Sequence, residues 1–231
     1  PNVLLTEGSL HSIDASSLHA AQAEWATPLA PLPRPRLAVL LGGTTSRRWC
    51  QRELAPPLTV PVARELVRSA TEAAAALGGS LLVSTSRRTP AGVVALLRAE
   101  MLEARATAPN WLWSGKEGDG PNPYMGFLAG ADYVVVSADS INMVSEACAT
   151  TKPVYVLQPE HTSGRFLAFH TRMLAQGATK PWPLDGAALE PASRWSSSVA
   201  PDTQLAAQRV RMLLEARFGP LSFGREGSSG G

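Results

Sequence analysis

Residues 137–146, SADSINMVSE, hold the densest set of side chains able to do chemistry in this chain. Tyr133 to Ser137 is a short apolar strand, and Asp139 and Ser140 punctuate it before a helical pattern begins. Ser140 is an N-cap type of residue, and the amides around Asp139–Asn142 at such a helix start are available to an anionic oxygen. Asp139 opposes a phosphate there unless its own charge is engaged elsewhere. Glu146, about two turns into the helix, is a carboxylate that could accept hydrogen bonds from ribose hydroxyls. The bland alternative is a capping serine followed by a surface glutamate.

Two further loops follow apolar strands. Gly42-Gly43-Thr44-Thr45-Ser46-Arg47 offers glycines for a close turn and hydroxyls for an anion, yet matches neither GxGxxG nor GxxxxGK[ST]. It reads either as a turn or as a ligand-facing loop, with Arg47 and Arg48 as phosphate contacts or a solvated pair. In Ser84-Thr85-Ser86-Arg87-Arg88-Thr89-Pro90, Thr89 is expected to cap a helix with Pro90 at its first position, and the arginines to brace a phosphate or an acidic loop.

The other reactive residue types argue for less. His11, His19, His161 and His170 have neither HExxH nor zinc-finger spacing, and structural or surface roles are expected for them. Cys50 and Cys148 lie far apart and read as reduced thiols. Trp25, Trp49, Trp182 and Trp195 read as packing residues, since no basic-aromatic alternation suggests a nucleic-acid platform. With 21 Lys+Arg against 19 Asp+Glu among 231 residues, a formal charge of +2 gives no case for polyanion binding, and no nucleic-acid partner is expected. No uninterrupted apolar stretch approaches the roughly 20 residues of a spanning helix. No signal or transit peptide is visible, and GREGSSGG at the end is flexible by composition.

The elements that would position these residues repeat as strand, turn, then amphipathic helix. Strands are expected near 37–41, 81–84, 111–113, 133–137 and 154–157, and a short one over Pro1–Thr6. Helices are expected from Asp14, with Leu18, Ala21 and Trp25 on one face, and near 61–77, 90–103, 140–149 and 202–217. The last carries Ala206, Val210 and Leu214 and is expected to pack over the sheet or toward a neighbour. The alternation predicts an α/β fold with a mostly parallel sheet in three layers.

Several segments in order, LPRPRLAVLLGG at 32–43, STSRRTP at 84–90, NPYMGFLAGADYVVVSADSINMVSEA at 122–147 and KPVYV at 152–156, resemble the mitochondrial fission ELM1-like family of plant, algal and bacterial proteins. The resemblance runs from about Thr6 through Trp182. It implies a Rossmann-like domain similar to the C-terminal, nucleotide-sugar-binding half of a GT-B glycosyltransferase, with little or none of the preceding α/β domain. The implied organisation is an N-terminal connection at 1–36, the Rossmann-like domain at 37–181, a C-terminal extension and helix at 182–221 and a tail at 222–231.

By the same resemblance, Gly42, Gly43, Thr44, Ser140 and Glu146 look like positions facing a nucleoside-diphosphate sugar, while no catalytic residue is assigned. The family implies a noncatalytic adaptor, peripheral at the outer mitochondrial membrane, that recruits a dynamin-related fission GTPase or contacts another mitochondrial complex. No cofactor is required by that reading. The alternatives are a nucleotide-sugar-dependent glycosyltransferase and a structural subunit of a larger mitochondrial assembly.

Overall fold

A computed structural model of the chain describes residues 3–43, 55, 58–185, 189, 191, 195–197, 199 and 202–219. Its centre is one six-stranded sheet of β1 (Arg36–Leu41), β2 (Ser80–Thr85), β3 (Asn110–Trp113), β4 (Tyr133–Ser137), β5 (Val154–Leu157) and β6 (Lys180–Pro181). The spatial order is β3-β2-β1-β4-β5-β6 and every pairing is parallel. The connecting helices are α1 (Ala15–Glu24), α2 (Ala26–Leu29), α3 (Val60–Ala76), α4 (Ala91–Ala104), α5 (Tyr124–Gly130), α6 (Ile141–Cys148), α7 (Gly164–Ala175) and α8 (Asp202–Phe218).

β1, β2, β4 and β5 are mainly apolar and almost wholly buried because both of their faces are covered. Leu37, Val39 and Leu41 of β1 join Tyr133 and Val135 of β4 in a core with Leu66 of α3 and Leu97 of α4. Their neighbours Ala38, Leu40, Val134 and Val136 point the other way, onto Phe127 of α5, Val144 of α6 and Phe169 of α7. The period of two along each strand thus feeds two cores, and the three-layer α/β fold expected from the sequence is the one observed. Fully burying a leucine or phenylalanine is worth about 2 kcal/mol, so these two layers supply the main driving force.

Local signals set the helix starts. Asp14 accepts from the Ser17 amide while the Ser17 hydroxyl accepts from the Asp14 amide, a reciprocal cap that opens α1. Ala21 and Trp25 are buried on the expected face, where Leu18 packs beside them. Thr59 caps α3 by accepting from Val62 N, with Pro61 in the first turn.

Three expectations are corrected. Residues 3–6 form no strand; instead the chain after them is tied down by Asp202, whose carboxylate accepts from the Glu7 and Gly8 amides. Thr89 does not cap α4, whose N-cap is Pro90 without a side-chain bond. Its hydroxyl instead reaches the carbonyls at the end of β1 and accepts from Ser86 N, so it holds two loops together. Finally, α8 does not cover the sheet: none of its residues is buried, and Val210, Leu213 and Phe218 stand in solvent.

Candidate functional site

The order β3-β2-β1-β4-β5-β6 reverses direction between β1 and β4, because the chain builds outward from β1 to one side and then returns to start again at β4. The crevice beyond the carboxyl ends of those two strands is where doubly wound sheets bind ligands. Gly42 and Gly43 follow β1, and Ala138, Asp139 and Ser140 follow β4, so the fold brings the glycine pair and the start of α6 to one place. Thr44, also singled out from the sequence, lies outside the described residues, as do Arg47, Arg48, Trp49 and Cys50.

Side chains of the chain itself close this place. Gly42 N donates to Ser137 Oγ at 2.7 Å and Gly43 N donates to Asp139 Oδ2 at 2.5 Å. A Cβ on Gly42 would lie 2.3 Å from the Asp139 carboxylate, and one on Gly43 would lie 1.9 Å from the Arg88 carbonyl oxygen. The glycines are therefore required by the protein's own close approach. Asp139 is 6% exposed; burial pushes its carboxyl above the usual range, against the bonds from Ser137 and Gly43 and the charge of Arg88.

Ser140 caps α6 as expected, its Oγ accepting from Met143 N at 3.3 Å. His170 of α7 buttresses the same loop through a 2.8 Å bond between Nε2 and the Ala138 carbonyl, and burial lowers its pKa despite that bond. A cavity of about 20 Å³, room for one water, lies between Leu58, Val62, Asp139 and Gln158. Gln158, at the end of β5, holds a left-handed backbone with φ of 48°.

Glu146 is half-buried on α6 and accepts a short hydrogen bond from the Tyr124 hydroxyl at the start of α5. Burial, then the Glu146 charge, raises the Tyr124 pKa, so the phenol stays a donor. The carboxylate is oriented by another element, as a ligand contact would need, but is bonded to Tyr124 and not to the glycine turn. Asp139, Tyr124, Ser137 and His170 are the members of this edge to which the sequence pattern assigns no such part. Only Asp139 carried a signal, as an acid at a helix start whose charge needed a partner.

An all-parallel, doubly wound sheet in this strand order, with a glycine turn at its reversal point, defines a Rossmann-like α/β domain. The chain belongs to the mitochondrial fission ELM1 family, whose sequence model matches residues 1–214. It is similar to the mitochondrial fission protein ELM1 of Arabidopsis thaliana, 35% identical over 217 residues that make up 94% of this chain and 46% of that protein. It is also similar to the uncharacterized protein RP120 of Rickettsia prowazekii, 37% identical over 78 residues, or 33% of this chain and 21% of that one. The chain therefore spans less than half the length of either relative.

Proposed function

We propose that this protein is a noncatalytic adaptor, peripheral at the outer mitochondrial membrane, that recruits a dynamin-related fission GTPase. The observation that carries the reading is α8, which is 17 residues long with no buried residue. Val210, Leu213, Leu214 and Phe218 stand on it at i, i+3, i+4 and i+8 and are all exposed, beside Arg209, Arg211 and Arg217. An apolar stripe on a basic helix suits docking into a partner's hydrophobic groove. Family membership supplies the process, mitochondrial fission, from the names of the family and of the Arabidopsis relative. The closed glycine turn, with an acid standing where a phosphate would lie, weighs against sugar transfer as the retained activity.

The test is affinity isolation of the full-length protein from mitochondria, followed by contact mapping. A reproducible interface with a fission GTPase that Val210→Asp together with Leu213→Asp abolishes is the expected result. Sugar transfer with turnover and no stable mitochondrial contact refutes the reading. A second reading, a nucleoside-diphosphate-sugar site at the switch point, is favoured by the strand order and by Glu146 held in place by Tyr124. It expects nucleotide-sugar binding that Glu146→Ala weakens roughly tenfold or more, the loss of a charge-assisted contact.

A further inference from the structure

Away from the switch point, at the far end of α6, lies a cavity of about 480 Å³. It is bounded by the segment leading into α1, the turn after α6, Ser197 and Val199, and the first turn of α8. That size falls in the range of small-molecule sites and exceeds the room left by ordinary packing faults. Its walls include Ile13, Ala15, Ala149 and Val199. The Cys148 thiol beside them is pushed up to about 12 by burial, so it presents a neutral, weakly polar surface and no thiolate.

Charge narrows the ligand further. None of the described residues lining the cavity is lysine or arginine, while two carboxylates, Asp14 and Asp202, belong to its wall. Each carboxylate already accepts backbone amides, from Ser17 and from Glu7 and Gly8 respectively. Phosphates and carboxylates are repelled by such a wall, which sets this cavity apart from any nucleotide site at the sheet edge. One polar group is weakly engaged: Ser197 is 1% exposed, and its Oγ faces the Cys148 thiol without a full-strength hydrogen bond among the described residues. Turning it about χ1 toward the cavity gives up only the contact with the Cys148 thiol, a weak partner, and a buried hydroxyl gains from a stronger one.

We propose that this cavity is a binding site for a small uncharged molecule with an apolar body and one hydroxyl or carbonyl group, which pairs with Ser197. Ligand entry at this seam links the N-terminal segment to the start of α8, because His11 N donates to Thr203 Oγ1 and Thr203 Oγ1 donates back to His11 O, each at 3.0 Å.

The experiment uses the 231-residue chain with 2-naphthol and naphthalene as probes, followed by calorimetry and ligand-observed NMR. Saturable one-to-one binding of 2-naphthol below about 1 mM is expected, the range for a probe of that size. Ser197→Ala should weaken 2-naphthol roughly tenfold and leave naphthalene unchanged, the signature of one lost hydrogen bond. Ala149→Phe should fill the space and remove both; Val199→Phe, another lining residue, serves the same purpose if the first variant fails to fold. Uridine diphosphate should not compete. Absence of saturable binding, binding that persists in a folded cavity-filled variant, equal effects of Ser197→Ala on both probes, or displacement by uridine diphosphate each overturns the proposal.

Discussion

Replacing Gly43 with alanine tests whether the glycine turn is closed by the protein itself. The added methyl would stand 1.9 Å from the Arg88 carbonyl oxygen and 2.1 Å from its carbon, about 1.5 Å short of the 3.4 Å at which ordinary contact begins. The obstacle is backbone at the β2–α4 turn, which Thr89 fastens to the end of β1, so neither loop can yield cheaply. Overpacking of this kind costs about 1–3 kcal/mol. Moving the turn also stretches the bond from Gly43 N to the buried Asp139 carboxylate, a charge-assisted contact worth about 1.5–3 kcal/mol if lost outright. A destabilisation of about 3 kcal/mol follows, or roughly 10 °C in Tm for a chain of this size. Urea denaturation of the ligand-free protein measures it, as a shift in midpoint at unchanged slope. The control is Gly92→Ala on α4, where the new methyl meets only a Val60 methyl at 3.8 Å and should stabilise by about 0.5–1 kcal/mol. A loss below about 1 kcal/mol for Gly43→Ala refutes the closed turn and returns the glycines to the ligand.

Three more outcomes follow from the same geometry. His170 has a folded pKa below its unfolded value, so the unfolded chain binds the extra proton and stability, full above about pH 6.5, declines as pH falls further; denaturation between pH 5 and 8 should show this slope, and His170→Gln should flatten it. Asp119 feels burial, which raises its pKa, but bonds from Ser114, Lys116 and Arg98 outweigh it and hold the carboxyl at about 2; its contribution is present above about pH 3.8 and lost as pH falls through about 2, and Asp119→Ala should cost about 1–2 kcal/mol after allowance for solvent screening. On α8, Val210→Asp and Leu213→Asp should change folding stability by no more than about 0.5 kcal/mol, because neither side chain is buried; a larger loss by thermal melting would mean that α8 packs on the body of the protein.

What was legible in the sequence was whatever depends on near neighbours along the chain. The five longer strands are apolar runs bounded by turn residues, and α3, α4 and α6 begin and end within a residue of their expected limits because capping and periodicity are local. β6 is only two residues long and carries no pattern of its own. α5 is masked by Gly126 and Gly130, poor helix residues that are explained only in three dimensions. A Cβ on Gly126 would lie 2.3 Å from the Trp25 ring, so the glycine lets α1 and α5 meet. The candidate site divides in the same way. Ser140 was legible as a cap, whereas the partners of Gly43 and Glu146, Asp139 and Tyr124, come from other elements and no spacing rule connects them.

The arrangement at the sheet edge bears on which activity such a fold can retain. In a dinucleotide-type site the amides after β1 meet the pyrophosphate, and catalysis or tight binding depends on those donors being free. Here Ser137 and Asp139 have taken them, and a carboxylate is the acceptor. For a phosphate to enter, Asp139 must leave or take up a proton; an unneutralised pair about 4 Å apart at an effective dielectric of 20 repels by about 4 kcal/mol. Burial already biases Asp139 toward its protonated form, so anion binding at this edge would be linked to proton uptake and would weaken as pH rises. An edge built in this way serves first to lock β1, β2 and β4 to one another. On the adaptor reading proposed above, that rigidity would help, because a partner docking on an outlying helix such as α8 gains affinity when the surface presenting it need not be ordered on binding.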